Sequence, residues 1–165
     1  MAEAAGTPLS QIHYHFGSKQ GLVLGLLEHQ NAKLLRRQAA MFGQDAALSA
    51  RWLQACDFLD EDLRSGYVRI LQEIVAAGYS DPELAEAARG VLGGWFALLT
   101  ELAAEAKETL LGPVALAPAE IACLVGAAFL GAESMLLIGM ELPIRSALRG
   151  VGEALGRIEQ AKGGA

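Results

Sequence analysis

Glycine and proline cut this 165-residue chain into stretches built almost entirely from helix formers. Gly6, Thr7-Pro8, Gly17-Ser18, Gly43, Ser65-Gly66, Gly78, Asp81-Pro82, Gly112-Pro113, Pro118 and Pro143 stand where a helix must stop or start. Between them Ala, Leu and Glu dominate, while Val, Thr and Tyr are scarce and no run alternates apolar and polar residues over a useful strand length. An all-α fold follows. Helices are predicted over residues 2–5, 8–16, 19–42, 47–64, 67–77, 82–111 with room for a bend at Gly93-Gly94, 119–140 and 144–159, the last five residues of the chain being frayed. Two start signals stand out. Ser18 can cap the helix beginning at Lys19, and Asp81-Pro82-Glu83 combines an acceptor side chain, a proline in the first turn and an acid suited to the helix dipole.

Charge is distributed unevenly. Residues 1–37 hold Lys19, Lys33, Arg36 and Arg37 against Glu3 and Glu28, a balance of +2, whereas residues 38–165 carry 9 basic and 17 acidic side chains. A basic head on an acidic body suits a nucleic-acid contact confined to one end. The apolar fraction is 53%, which calls for a partner chain or a membrane to cover the surplus. Residues 121–140 come closest to a membrane span, but Glu133 near their middle would be costly in lipid and no Lys/Arg cluster flanks them, so a buried or interface helix is expected. Met1 is followed by neither a basic nor an apolar leader segment, which points to a cytoplasmic protein. Cys56 and Cys123 lack metal-ligand or redox spacing and read as small buried hydrophobes in a reducing compartment.

Residues 4–22 carry the most specific pattern. Short helix, tight turn at Gly6, second short helix and long third helix describe helix-turn-helix geometry. Ile12 and Phe16 fall on the inner face of the second helix, leaving Ser10, Gln11, His13 and Tyr14 on or near an outer face suited to a major groove and phosphates. The run Ile12-His13-Tyr14-His15-Phe16-Gly17-Ser18-Lys19-Gln20-Gly21-Leu22 resembles the signature of the TetR family of bacterial transcriptional regulators.

That resemblance implies a dimer on a palindromic double-stranded operator, released when a small molecule enters a helical body. It implies DNA contacts at Pro8, Leu9, Ser10, Gln11, His13, Tyr14 and Lys19, with Lys19 on a phosphate and His13 standing where most members carry a tyrosine. It also implies a division at residue 42, with 1–42 as DNA-binding head and connecting helix and 43–165 as effector-binding and dimerisation domain. Members carry a whole helix before the Ala4-Ala5-Gly6 turn, so the head is incomplete here. The expectation is a sequence short at its N-terminus rather than a protein lacking that helix.

Within the body, Trp52, Phe58, Tyr67, Trp95, Phe96 and Met135 are the large aromatic and sulfur side chains suited either to plain core or to lining a site for a small, largely apolar effector. Glu133 joins them: an acid inside an apolar helix must be paired, protonated or facing water, so it either orients a polar group of a ligand or finds Arg145 or Ser134. Gly126, Ala127, Gly131 and Ala132 admit close helix approach and, with Leu130, Leu137 and Leu148, are the expected homodimer face. Lys33, Arg36 and Arg37, like the acids Asp57, Asp60, Glu61 and Asp62, read as solvated faces. His13 and His15, two apart on a helix, face away from each other, and no metal site, cofactor site or catalytic constellation is expected. The alternative is a helical homodimer that binds a small molecule or a protein without competent DNA binding, because its head is incomplete.

Overall fold

The computed structural model describes residues 17–112 and 114–164, and among these every regular element is a helix. They are α1 (Lys19–Phe42), α2 (Leu48–Ser65), α3 (Tyr67–Ala77), α4 (Pro82–Ala106), α5 (Pro118–Leu137) and α6 (Ile144–Gly163). The expected start signals operate as read. Ser18 Oγ accepts the Gly21 N–H at 2.9 Å, and Asp81 Oδ1 accepts the N–H groups of Glu83 and Leu84 at 2.9 and 3.3 Å. Gly66, at φ +83°, turns the chain from α2 straight into α3, a conformation that a side chain would strain.

Three boundaries differ from the sequence reading. α4 does not stay α-helical to Leu111 but widens into a π-helical turn at Lys107–Leu111, closed by a Gly112 N–H bond to the Lys107 carbonyl at 3.0 Å. α5 stops at Leu137 because Gly139 takes φ +73°. α6 continues to Gly163 through residues expected to fray. The glycine pair in α4 introduces no break either. A Cβ at Gly94 would stand 3.0 Å from Leu35 Cδ1, so this glycine admits the side of α1.

Packing places α4 at the centre, against α1 on one side, α3 on another and α5 along its length, while α6 lies on α2. One buried cluster joins Leu27 of α1 to Tyr67, Val68, Leu71 and Ile74 of α3 and to Ala88 and Val91 of α4. A second joins Cys56 and Leu59 of α2 to Phe129 and Ala132 of α5 and Leu148 of α6. α1, expected from sequence as the helix connecting head to body, contributes Leu27 to this core. Arg51, only 4% exposed, fastens three helices. Its guanidinium grips both oxygens of Glu105 on α4 and donates to the carbonyl of Phe42 at the end of α1 at 2.9 Å. That hydrogen-bonded pairing holds the Glu105 carboxyl below its usual pKa.

α5 is long and apolar enough to cross a membrane, and is the one helix among the described residues that is. One face of it, with Ala122, Gly126, Phe129 and Ala132, is buried against the chain's own helices, while Leu124 and Ala127 on the other face are exposed. Gly126 marks the closest approach: a Cβ there would lie 2.3 Å from Cε1 of Phe96 on α4. Gly126→Val should therefore force the Phe96 ring out of its place and lower stability by about 1–3 kcal/mol. A urea melt would read this as a lower midpoint at unchanged slope, and a wild-type midpoint would contradict the packing.

Candidate ligand cavity

Five helices converge on a partly open cavity of about 60 Å3. α1 lends Asn31, Leu34, Gln38 and Phe42, α2 lends Phe58, Leu59 and Asp62, and α3 lends Tyr67, Val68 and Leu71. Val91, Leu92, Trp95 and Leu99 of α4 and Phe129, Leu130 and Glu133 of α5 complete most of the wall. The volume admits a few waters as it stands, well short of the roughly 300–1,000 Å3 of drug-sized sites, so an organic ligand enters only if part of the wall gives way.

The polar groups are few, and the only ionisable ones among the described residues of the wall are the acids Asp62 and Glu133 and the phenol of Tyr67. Glu133 Oε2 accepts from Nε2 of Gln72 on α3 at 2.8 Å, while Ser134 Oγ reaches Gln72 Oε1 at 2.9 Å and the Leu130 carbonyl at 3.0 Å. Arg145 goes elsewhere, to Asp60 at 2.7 Å. Burial away from water, reinforced by the nearby Asp62 and only partly offset by the Gln72 amide, pushes the Glu133 carboxyl up to about 7. Asp62 is raised by burial as well, against the pull of Arg37, which pairs with it. The same Arg37 lies over the Phe58 ring at 4.0 Å and bonds Glu61 at 3.3 Å. Tyr67 donates its hydroxyl to Asn31 Oδ1 at 3.3 Å, and burial with two acids close by drives its pKa above the ordinary value.

Of the seven pocket candidates, the structure brings Phe58, Tyr67, Trp95 and Glu133 onto the cavity wall. Trp52 and Phe96 do not line it. Trp52 packs edge-on against Phe129 and donates its indole N–H to the Leu148 carbonyl at 2.6 Å, and Phe96 fills the notch at Gly126. Met135 is half-buried and lies outside the cavity, close to Gly131. Asn31, Gln38 and Asp62 were not singled out as lining residues. Asp62 corrects the solvated-face reading of the acidic run, and Arg37 that of the basic one, because each faces the other across the α1–α2 seam.

The residues expected on a dimer face do not share one exposed surface of the chain. Gly126 and Leu148 are buried inside the subunit, Leu130 lines the cavity, and Leu137 packs on the α1–α3–α4 core. Gly131 is half-buried, and Ala127 alone of the set is exposed. The outward apolar positions are instead Leu124, with Cys123, Ala127 and Ala128 beside it on α5, and Val151 and Ile158 on α6. Cys56 is buried as expected, whereas Cys123 is exposed. The DNA-contact candidates Pro8, Leu9, Ser10, Gln11, His13 and Tyr14 lie outside the described residues, and Lys19 is the first residue of α1.

No protein-family model, curated protein or solved structure matches this chain.

The raised Glu133 carboxyl sets a pH dependence. Its folded pKa lies above the ordinary value of 4.5, so its protonated form is the one burial tolerates. Stability should fall as pH rises from about 4.5 to about 7 and then level off, a loss of up to roughly 3 kcal/mol from this group. Urea midpoints at pH 5 and pH 8 read it directly. Glu133→Gln should remove most of the difference, and an undiminished difference in that variant would assign the effect to other groups.

Proposed function

We propose that this protein is a cytoplasmic, homodimeric transcriptional regulator of the TetR type, with no enzymatic role of its own, released from palindromic operator DNA by a small molecule. One observation carries the reading. The helix that begins within the Ile12–Leu22 signature is the helix whose second half walls the cavity, through Asn31, Leu34, Gln38 and Phe42. α1 has 24 residues and is about 36 Å long, and its first cavity residue, Asn31, stands about 18 Å along it from Lys19. A ligand that swells a 60 Å3 cavity must move a wall, and a wall belonging to α1 carries that movement to the motif. The two recognition helices of a dimer must enter successive major grooves about 34–36 Å apart. A ligand that binds better to a body with the wrong spacing then empties the operator.

Fluorescence anisotropy with the DNA upstream of the coding sequence tests this, using this chain and one extended through the codons before Met1. Sequence-preferring binding that falls steeply with salt is expected, and Lys19→Ala should reduce the salt slope by about one. Absence of sequence preference in both chains would leave a ligand-binding helical protein and end the repressor reading. Gel filtration should give about 35 kDa, twice the 17.4 kDa chain, with Leu124→Glu plus Val151→Glu shifting it to the monomer. A 17 kDa peak for the wild type would refute the dimer.

A further inference from the structure

The cavity has a chemical bias that an apolar lining alone does not explain. Two of its lining side chains, Asp62 and Glu133, are acids and none is basic. Asp62 already has a cation in Arg37, which bonds its Oδ2. Glu133 has none: its one hydrogen bond is from the neutral Gln72 amide to Oε2, and Oε1 has no partner among the described residues. The other polar side chains of the wall, Asn31, Gln38, Tyr67 and Trp95, are neutral. Tyr67 spends its hydroxyl hydrogen on Asn31, and Gln38 Oε1 is buried without a hydrogen bond. A site with two acids, no basic side chain and one carboxyl without a cation is complementary to a positively charged N–H donor, which describes an ammonium. Aromatic rings from three helices, Phe58, Trp95 and Phe129, provide the apolar counterpart, and Phe129 and Trp95 meet edge to face at 6.4 Å.

We propose that the cavity binds a compact organic cation, an aliphatic or aromatic group bearing a protonated amine, with the ammonium on Glu133 and the apolar group among Trp95, Phe129 and Leu130. This rests on the regulator reading only in identifying the ligand with the effector; the binding itself is independent of DNA. A neutral ligand would leave the carboxyl unanswered, and an anion would add a third negative group beside Glu133 and Asp62. The titratable and charged groups around Glu133 are Asp62 of α2, Tyr67 of α3 and, at the edge, Arg37 of α1; the α4 residues of the wall are apolar.

The test uses three ligands of nearly one shape and three charges: 2-phenylethylamine, 2-phenylethanol and phenylacetate. Isothermal titration at pH 8 with the full chain should find the amine tighter than the alcohol by at least about tenfold and the carboxylate weakest. Amine affinity should rise about tenfold from pH 6 to pH 8 as Glu133 ionises, because the amine stays protonated throughout. Glu133→Gln, checked for folding by circular dichroism, should erase both the preference and the pH dependence while still binding the alcohol. Equal binding of alcohol and amine, a preference surviving in that variant, or no binding of any of the three would overturn the proposal. Anisotropy on operator DNA, run with and without the amine, reports separately on the regulator reading. Amine binding in a chain that ignores DNA leaves this inference standing, and DNA release without charge preference removes it.

Discussion

A half-buried carboxyl on an apolar helix with no cation in reach is the constraint around which the α3–α5 contact is organised. An isolated ionised carboxylate in such surroundings costs many kcal/mol, so it must share a proton or find donors. Glu133 does some of each. Its pKa sits near 7, and the one donor it has, the Gln72 amide, is itself held by the Ser134 hydroxyl one residue along α5. The register between α3 and α5 is therefore fixed by polar contacts beside Leu71 and Ile74, which are buried in the core. Slipping α5 by a turn would leave both the carboxyl and the amide without partners, a larger loss than that of a few apolar contacts.

The fold was legible because its limits are local. A glycine at φ +83°, a proline after an aspartate and a serine before a lysine act within one turn of the chain, so their positions alone place helix ends within a few residues. The exceptions are instructive. Nothing in the Lys107–Leu111 composition announces a widened turn, which depends on how the end of α4 meets the loop that follows. Frayed-looking residues at the end of α6 continue as helix, although most of that last turn is exposed.

The cavity was legible only in part, for a related reason. Periodicity ranks the faces of each helix but does not say which neighbour a face will meet. Tyr67, Trp95, Phe58 and Glu133 stood out by size or by being misplaced acids. Asn31 and Gln38 are ordinary polar residues on a mixed helix, and Asp62 sat in a run of acids that looked solvated. What draws Asp62 inward is Arg37, 25 residues away, whose guanidinium covers Phe58 and satisfies the carboxylate together. Small residues mislead in the same manner. Gly126 does mark a close approach, but the partner is Phe96 of the same chain, so a glycine reports proximity without naming the neighbour.

These arrangements bear on how occupancy of the cavity would be felt elsewhere. A site of 60 Å3 walled by five helices cannot take a ligand much larger than a few waters without displacing one of them. The helices are not equally free to move. α4 is held at its C-terminal end by Arg51 and along its length by α5, whereas the first half of α1 leans on α3 and α4 through Val23, Leu24 and Leu27 and through long contacts from Gln20 to Asp81 and Glu83 at 3.5 and 3.4 Å. Arg51 also pins the Phe42 carbonyl, fixing the far end of α1. With Phe42 clamped and Leu27 buried between α3 and α4, only the turn of α1 before Val23 is held by polar contacts alone. A push at Asn31 to Gln38 would be taken up most easily by a tilt of α1 that reaches that turn. The greatest displacement then falls at its N-terminus, where the Ser18-Lys19 signature stands.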